Sequence, residues 1–580
     1  MRWIAWCGAV ILGTAQAALI EPEAATGFQA REVAWGQDYM AATANPYATE
    51  AAQAILAQGG SAVDAAITAQ MVLTLTEPQS SGIGGGLFML LWDAQAQQMV
   101  SLDGRETAPK AATPSLFMQD DATPMRWLDA VIGGRAVGTP GAVAALYQAH
   151  QRYGVLPWST LLQPAIILAQ EGFIVSPRLA KLLAAEINPG LQRPGPANRY
   201  FAPEGHWLEA GQRRTNPELA KTLTTLANAG AAGFYQGPLA LRMVEAVQQD
   251  PDRPGLLTEA DLAQYRAQWR KPVCTRYRRH SVCGMGPPSS GGIAVGQIMA
   301  LLEPHDIKAI ANDSVAFTHL YSQASRLAYA DRGLYVADSD YVEVPTEALL
   351  DPAYLQRRGE ALLSLTDPGQ AQPGRVGGSN GADQTQPLPS TTHMVMADPQ
   401  GNLLSLTSSI EMGFGSTVMV GGFLLNNQLT DFSLHPGSAP ALAANRVQGG
   451  KRPRSSMAPT IVLDPQGQPS LALGSPGGSR IINYVSQMLV ALLDWQLPLA
   501  EALALPRISH RNDYLLLESE RSDPTLVEAM SAKGYDVKLG PLNSGVQVIQ
   551  RAGKGWYGAA DPRREGTALG GQMVERKSAH

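Results

Sequence analysis

The sequence predicts a fold that mixes α-helices and β-strands, and two observations point to it. The middle of the chain is rich in helical patterns, whereas residues 391–425 and 460–473 are typical of strands. Of the 580 residues, 45% are hydrophobic and only 16% are charged, so the chain is expected to bury a large core. Its length alone predicts two or more domains.

The net charge excludes one class of partner. Lys and Arg number 44 against 50 Asp and Glu, which gives a formal charge of −6. A nucleic-acid-binding protein normally has a cationic excess, so no nucleic-acid partner is expected. The nine His are scattered without the spacing of metal ligands, so no metal site is expected.

The first residues are typical of a signal peptide. A positive start at Arg2 is followed by an apolar run from Trp3 to Gly13 and by the small-x-small exit 15–17. We expect cleavage after residue 17 and export to the periplasm or the exterior. A buried N-terminal helix is the alternative. No later stretch is long and apolar enough to predict a membrane anchor.

The next elements are helices and a glycine-rich approach to a strand. Residues 48–76 predict two helices broken by Gly59-Gly60, with Ser61 as the N-cap of the second. The glycines of 82–86 lead into a strand at 87–92, for which 99–102 is the expected partner. No Lys-Ser/Thr pair follows them, so close backbone packing is favoured over phosphate binding.

Further helices are expected across the middle of the chain, and Thr258 with Asp261 resembles a capping box. The expected ranges are 142–153, 159–171, 217–228, 239–249, 258–267, 293–303 and 314–331. Between them, Cys274 and Cys283 face each other if Arg278-Arg279 forms a two-residue turn, which predicts a cross-strand disulfide. Two buried free thiols are the alternative.

A span rich in Gly and Pro at 367–390 interrupts these patterns and has the composition of a linker, a functional loop or a processing site. It contains a G-x-S-x-G match centred on Ser379. A nucleophile elbow requires a strand before and a helix after it. Neither pattern is present, so a serine hydrolase is not favoured.

The strongest hairpin signal follows this span. Residues 391–397 and 403–409 predict two strands joined by a turn centred on Gln400. This register places Ser409 directly opposite Thr391, so that two hydroxyl groups face each other. An ordinary polar cross-strand pair is the alternative.

Motifs spread over nearly all of the chain resemble those of the gamma-glutamyltransferase (gamma-glutamyltranspeptidase) family. They are 77–82 (EPQSSG), 103–106 (DGRE), 138–141 (GTPG), 287–292 (PPSSGG), 391–393 (TTH), 414–416 (FGS), 424–428 (LLNNQ), 431–433 (DFS), 451–457 (KRPRSSM) and 474–480 (GSPGGSR). Because many motifs agree in order, this resemblance is far more specific than any single short pattern.

The resemblance implies an α+β fold, a four-layer αββα sandwich of the N-terminal nucleophile hydrolase type. It implies a proenzyme that cuts itself between Ser390 and Thr391 into a large subunit, 18–390, and a small subunit, 391–580. The two subunits would form one interleaved domain and remain together as a heterodimer. The freed α-amine of Thr391 would then act as the base for its own hydroxyl.

The resemblance also implies roles for individual residues. Thr391 is the expected nucleophile, with Ser409 supporting it. Gly477 and Gly478 match the oxyanion-hole pair, whose backbone N–H groups stabilise the tetrahedral oxygen. Those expected to hold the α-carboxylate of a γ-glutamyl group are Arg105, Ser455 and Ser456, and those expected at its α-amino group are Asp431, Gln428 and Glu411.

Two departures concern the amine side of this pocket. Glu411 stands where better-known members have Asn, and Thr430 stands where an acidic pair often begins. The implied activity is transfer of γ-glutamyl groups from glutathione-like donors to water or to amino acid and peptide amines, without cofactor or metal. The alternatives are a glutaryl or cephalosporin acylase of the same superfamily and a secreted non-catalytic protein of this fold. Retention of Asp431 argues against the acylase, because a glutaryl group has no amine.

Overall fold

The computed structural model describes residues 27–377, 381, 383 and 390–573. The expected signal peptide, 1–17, and Ser379 lie outside these residues. In the described part of the chain, the α-helices are α1 Pro46–Ala57, α2 Ala62–Thr76, α3 Trp127–Ala130, α4 Ala142–Tyr153, α5 Trp158–Glu171, α6 Pro177–Ala184, α7 Pro196–Phe201, α8 Pro217–Ala229, α9 Ala232–Tyr235, α10 Pro238–Gln248, α11 Glu259–Gln264, α12 Gly291–Leu302, α13 Val315–Tyr335, α14 Thr346–Leu349, α15 Pro352–Gly359, α16 Ile481–Leu493, α17 Leu499–Ala504 and α18 Pro524–Ala532.

The strands alternate with these helices along the chain. They are β1 Ala34–Gly36, β2 Tyr39–Thr43, β3 Gly86–Asp93, β4 Gln98–Gly104, β5 Phe173–Ile174, β6 Arg213–Arg214, β7 Gln268–Arg270, β8 Val273–Tyr277, β9 His280–Gly284, β10 Ser390–Ala397, β11 Leu403–Glu411, β12 Met419–Val420, β13 Phe423–Leu424, β14 Gly437–Ser438, β15 Ala441–Leu442, β16 Thr460–Leu463, β17 Pro469–Gly474, β18 Ile508–His510, β19 Leu515–Glu518, β20 Val537–Gly540, β21 Gln547–Ala552, β22 Gly555–Ala560 and β23 Thr567–Gly571.

Two seven-stranded antiparallel sheets form the centre of the fold. Sheet I has the order β23-β2-β10-β11-β3-β4-β7, and sheet II has the order β1-β22-β21-β17-β16-β9-β8. Helices including α1, α2, α5 and α8 pack on the outer face of sheet I, and helices including α12, α13 and α16 pack on the outer face of sheet II. The predicted four-layer αββα sandwich is therefore confirmed.

Strand β10 shows why both faces of sheet I are buried. Met394 and Met396 belong to the core under the helices, whereas Val395 and Ala397 belong to the core between the sheets. Because successive side chains of a strand point to opposite faces, this near-continuous apolar run fits a central strand covered on both sides. The strand that begins at Ser390 is thus held in the middle of the molecule.

Sheet I combines segments from both sides of residue 391. Strands β2, β3, β4 and β7 precede that position, β10 contains it, and β11 and β23 follow it. Strand β10 pairs with β2 on one side and with β11 on the other. The chain length predicted two or more domains. That expectation is wrong for the segments that form sheet I, because strands from before and after residue 391 pair in the same sheet.

The helices begin where their capping residues predict. Ser61 and Thr258 each cap a helix within a capping box, with Asp64 and Asp261 as the reciprocal partners. All seven ranges expected across the middle of the chain contain a helix. The helix expected to end at residue 331 continues to Tyr335, because buried Asp331 and Arg332 find polar partners inside the protein.

The glycine-rich approach to β3 packs backbone against backbone, as expected. A Cβ atom on Gly84 would lie 2.1 Å from the carbonyl oxygen of Leu424, and one on Gly85 would lie 2.1 Å from that of Ser409. Such distances are impossible for a real side chain, so only glycine permits this approach. The loop is thereby fixed against β11, next to Ser409.

Strands β8 and β9 form the hairpin expected around Arg278-Arg279. Cys274 pairs with Cys283, and a disulfide joins them. Arg278 has φ +53°, a left-handed conformation that suits the tight turn. Among the described residues, no helix has both the length and the apolar character needed to cross a membrane.

Candidate active site

The hairpin of β10 and β11 places Thr391 and Ser409 beside each other, but not in the expected register. From Thr392 to Ala397 the pairing is the predicted one, with Thr392 opposite Ser408. Ser390 then pairs with Glu411, so the register shifts at Thr391 and β11 contributes an extra residue there. The expectation that Ser409 lies directly opposite Thr391 is wrong because of this bulge.

The bulge turns the Ser409 hydroxyl towards the peptide bond that precedes Thr391. Its Oγ donates to the Ser390 carbonyl oxygen at 2.7 Å and accepts from the backbone N–H of Glu411 at 2.8 Å. Glu411 has φ +80°, a left-handed conformation that is costly for a residue with a Cβ. The surrounding structure therefore holds the Ser409 hydroxyl against the Ser390 carbonyl oxygen, and the backbone of Glu411 is strained as a result.

A narrow pocket joins Thr391 to most of the site residues expected from the resemblance. Its solvent cavity is about 20 Å³, which is room for about one water molecule. The residues that line it are Arg105, Arg332, Thr391, Ser409, Gln428, Asp431, Arg454, Ser455, Ser456, Met457, Gly478, Ser479 and Ile481. These residues thus surround one small cavity.

Gly478 borders the pocket from the start of α16. The segment Gly478–Arg480 forms a single 3₁₀ turn that runs directly into this helix, and the N–H groups of a first helical turn have no partner within the helix. Gly477 has φ +129°, and a Cβ there would lie 2.5 Å from the ring of Tyr484. Gly477 is not among the lining residues, but it fixes the turn that presents Gly478.

Arg105 and two serines form one side of the pocket. Arg105 follows β4; its Nε donates to the Pro453 carbonyl at 3.2 Å, and its guanidinium forms a short ion pair with Asp431. Ser455 Oγ accepts from the backbone N–H of Met457 at 3.1 Å, and Ser456 Oγ accepts from Arg332 at 2.7 Å. Because both oxygens already accept, both hydroxyl hydrogens are left to donate to a ligand oxygen.

Asp431 and Gln428 form the other side, within one 3₁₀ turn, Gln428–Asp431. Gln428 Nε2 donates to Asp431 Oδ2 at 2.9 Å. Gln428 Oε1 is buried and has no hydrogen-bond partner among the described residues. An acceptor oxygen and a carboxylate therefore lie together, which is the arrangement that an ammonium group requires.

The two departures noted in the sequence lie around this turn. Glu411 is fully buried but does not line the pocket. Burial, followed by the negative charge of Asp431, raises the pKa of Glu411 well above its ordinary value. Thr430 donates its hydroxyl to the Asn427 carbonyl at 2.8 Å, within its own turn. Asp431 thus lines the pocket, whereas Glu411 does not.

Sequence reasoning missed Arg332, Arg454 and Ser479. Arg332 lies in α13, where a charged residue normally indicates a solvated face, yet it is only 9% exposed. Arg454 and Ser479 lie within the motifs 451–457 and 474–480, and that position was the signal that could have placed them in the site. Among the described residues, no group of three or more His, Cys, Asp and Glu could hold a metal ion.

The chain is similar to known proteins over most of its length. A family model described as gamma-glutamyltranspeptidase matches residues 48–571. The chain is 36% identical to a glutathione hydrolase proenzyme of Pseudomonas aeruginosa. The match covers 91% of this chain and 94% of that protein. It is 37% identical to a glutathione hydrolase proenzyme of Escherichia coli K12, with 90% of each chain covered.

A solved structure extends the likeness to the whole fold. The crystal structure of a cephalosporin acylase from Bacillus halodurans has a TM-score of 0.83 and is 26% identical to this chain. The match covers 98% of this chain and all of that one. Proteins named glutathione hydrolase and cephalosporin acylase are therefore both similar to this chain. The fold does not distinguish between these two activities, so the residues of the pocket have to.

Proposed function

The chain belongs to the gamma-glutamyltranspeptidase family, and we propose that it is a self-processing γ-glutamyltransferase and glutathione hydrolase. The observation that carries this proposal is the pocket itself. Thr391 lines it together with a carboxylate-binding side and an ammonium-binding side. A γ-glutamyl group carries both of those charges on one carbon atom.

The first step is cleavage of the chain between Ser390 and Thr391. Thr391 Oγ attacks the Ser390 carbonyl carbon, and its proton passes to the departing amide nitrogen. The C–N bond breaks as the ester C–O bond forms, and water then hydrolyses the ester. The Ser409 hydroxyl, 2.7 Å from the carbonyl oxygen, stabilises the negative charge that develops there.

Cleavage supplies the base for turnover. The freed α-amine of Thr391 takes the proton of its own hydroxyl, which attacks the γ-carbonyl carbon of the donor. The backbone N–H groups at Gly477 and Gly478 stabilise the oxyanion, and the donor amine leaves with the proton. Water or an amino acid or peptide amine then attacks the γ-glutamyl ester and restores Thr391.

The charges of the pocket orient the donor. Arg105 with the hydroxyls of Ser455 and Ser456 holds the α-carboxylate, because a guanidinium fork and two hydroxyl donors match its oxygens. Asp431 and Gln428 Oε1 hold the α-ammonium. Glu411 does not line the pocket, and burial together with the negative charge of Asp431 raises its pKa.

The same residues decide between this function and the acylase. The likeness to a cephalosporin acylase supports the fold equally well for both. Asp431 and the unpartnered Gln428 Oε1 favour a donor that carries an amine. A glutaryl group would leave the buried Gln428 Oε1 without a donor, which is costly for a buried polar atom. A non-catalytic protein would have no need of this full set.

Two further parts of the proposal concern the protein before and after cleavage. Residues 1–17 direct export to the periplasm or the exterior and are removed. The fragments 18–390 and 391–580 stay together as a heterodimer, because strands from both form sheet I.

Electrophoresis and a donor assay test the proposed function. The purified protein should show two fragments on a denaturing gel, with Thr391 as the first residue of the smaller one. Thr391→Ala should remain one chain and inactive, Thr391→Ser should retain cleavage, and Ser379→Ala should behave as the wild type. Turnover of γ-glutamyl anilide over glutaryl anilide is expected. A single inactive chain, or preference for the glutaryl donor, would contradict the proposal.

A further inference from the structure

Helix α13 donates hydrogen bonds to two separate walls of the pocket. Arg332 donates to Ser456 Oγ at 2.7 Å, and the Tyr329 hydroxyl donates in a short hydrogen bond to the Ser479 carbonyl oxygen. The two side chains are three residues apart, so they lie on the same face of the helix. Tyr329 is only 6% exposed. The proposed mechanism uses Ser456 for the carboxylate but gives Tyr329 no role.

The hydrogen bond from Tyr329 is the first of two that lead to the Gly478 N–H. The Ser479 carbonyl shares its peptide unit with the Arg480 N–H, which donates to the Gly477 carbonyl at 3.1 Å. The Gly477 carbonyl shares its own peptide unit with the Gly478 N–H. Because the C=O and N–H of a trans peptide unit point in opposite directions, fixing each carbonyl also fixes the direction of the N–H behind it.

The Tyr329 hydroxyl is suited to act as this donor. Burial raises the pKa of Tyr329 above its ordinary value, so the hydroxyl keeps its proton. A second acceptor, Asn483 Oδ1, is 3.4 Å away and already accepts from Ser509 Oγ at 3.0 Å. Successive hydrogen bonds polarise one another, so donation to the Ser479 carbonyl also makes the Gly478 N–H a stronger donor.

We propose that Tyr329 is a positioning residue of the oxyanion hole, whose hydroxyl holds the turn Gly478–Arg480 so that the Gly478 N–H donates to the tetrahedral oxygen. This inference rests on the proposed function. Tyr329 does not line the pocket, so it acts through the turn and does not touch the donor. Its contribution increases as negative charge develops on the oxygen, which makes it larger in the transition state than in the ground state.

The proposal separates turnover from self-cleavage. Helix α13 belongs to the proposed fragment 18–390 and the turn belongs to 391–580, so the fragment without the nucleophile shapes the oxyanion hole. In self-cleavage the developing charge lies on the Ser390 carbonyl oxygen, which accepts from Ser409 Oγ at 2.7 Å. Loss of the Tyr329 hydroxyl should therefore slow turnover and leave the rate of fragment formation unchanged.

The variant Tyr329→Phe tests the proposal, because it keeps the buried ring and removes only the hydroxyl. With γ-glutamyl para-nitroanilide, kcat and kcat/KM should fall together by about tenfold at an unchanged KM, the pattern of an interaction made only in the transition state. The loss is smaller than that of an oxyanion-hole donor itself. The γ-boronate analogue of glutamate forms a tetrahedral adduct with a hydroxyl nucleophile, so its Ki should rise by the factor by which kcat/KM falls.

The matched control is Tyr335→Phe. Tyr335 is a 4% exposed tyrosine of the same helix whose hydroxyl donates to the Gly374 carbonyl at 2.5 Å, away from the pocket lining. Its kinetic constants and boronate Ki should equal those of the wild type. Tyr329→Met gives the same comparison if the Phe variant does not fold.

Several outcomes overturn the inference alone. They are an unchanged kcat/KM or boronate Ki in a folded, cut Tyr329 variant, a change confined to KM, an equal loss in Tyr335→Phe, and a Tyr329→Phe chain that folds but stays uncut. Failure of the wild type to release the aniline from the γ-glutamyl donor overturns the proposed function instead.

Discussion

Removing the Ser409 hydroxyl tests whether it serves self-cleavage. Its Oγ lies 2.7 Å from the Ser390 carbonyl oxygen, which would gain negative charge in the proposed attack by Thr391. Loss of one positioned donor to such an oxygen costs about 2.7–4 kcal/mol, or roughly 100- to 1000-fold in rate. We therefore expect Ser409→Ala to form its two fragments about 100-fold more slowly than the wild type, and Ser409→Thr, which keeps a hydroxyl, to stay close to it.

The assay is a time course of fragment formation after synthesis of the full-length chain, followed on denaturing gels. Ser409→Ala also leaves the Glu411 N–H without its acceptor. This loss costs about 1–3 kcal/mol of stability. The cleavage rate should therefore be measured at a temperature well below the melting temperature of the variant. Ser408→Ala is the matched control: Ser408 is equally buried in β11, but its hydroxyl donates to the Gly86 carbonyl at 3.1 Å. Equal cleavage rates for Ser409→Ala and the wild type would refute the reasoning.

Three further predictions concern recognition and stability. Asp431→Asn should lower kcat/KM for a γ-glutamyl anilide about 10- to 100-fold and narrow its preference over a glutaryl anilide, because the charge opposite the α-ammonium is lost. Glu106→Gln should raise the melting temperature at pH 8.5 but not at pH 5, because burial raises the pKa of Glu106 to about 8. The double variant Cys274→Ser/Cys283→Ser should lose roughly 2–3 kcal/mol of stability through its unfolded state and keep its turnover.

The sign of the Glu106 effect follows from proton binding. Between the unfolded pKa near 4.5 and the folded pKa of about 8, the folded protein holds a proton that the unfolded chain releases. The free energy of unfolding therefore falls as pH rises through this window, by roughly 3–5 kcal/mol at about 1.4 kcal/mol per pKa unit. Glutamine removes this contribution, and thermal unfolding across pH 5–8.5 measures it. A variant with the pH slope of the wild type would contradict the assignment.

Each of the other two predictions has its own decisive outcome. For Asp431→Asn, an unchanged preference for γ-glutamyl over glutaryl donors would mean that another group holds the amine. For the cysteine variant, denaturant unfolding compared with that of the oxidised wild type gives the stability difference. A difference near zero would show that the bond does not restrict the unfolded chain as the loop-closure model requires.

The sequence predicts the local elements well, because local chemistry determines them. Ser61 and Thr258 mark helix starts through their caps, and the turn centred on Gln400 places β10 and β11 in the correct register from Thr392 onwards. Strand β2, Tyr39–Thr43, was not predicted: all five residues are buried and show no alternation. A strand covered on both faces loses the polar-apolar pattern that would reveal it.

The candidate site is less predictable, because contacts distant in sequence determine it. The bulge at Thr391 depends on the left-handed backbone of Glu411, which no local pattern indicates. Arg332 belongs to the pocket only because α13 packs beside the segment that carries Ser456. The resemblance placed most of the lining residues, but it could not supply the ion pair between Arg454 and Asp383, which joins two segments through their tertiary arrangement.

The order of strands in sheet I has a consequence for how the protein is made. Strand β10 begins at the proposed cut, yet it lies between β2 from the first fragment and β11 from the second. Neither fragment alone would complete the sheet, and each would expose unpaired strand edges. Folding therefore has to precede cutting, and two separately synthesised halves would need to assemble while both are still unfolded. The uncut chain keeps the two halves of sheet I covalently linked while it folds, and the cut removes this link. Heat-denatured, separated fragments should therefore not regain activity on cooling.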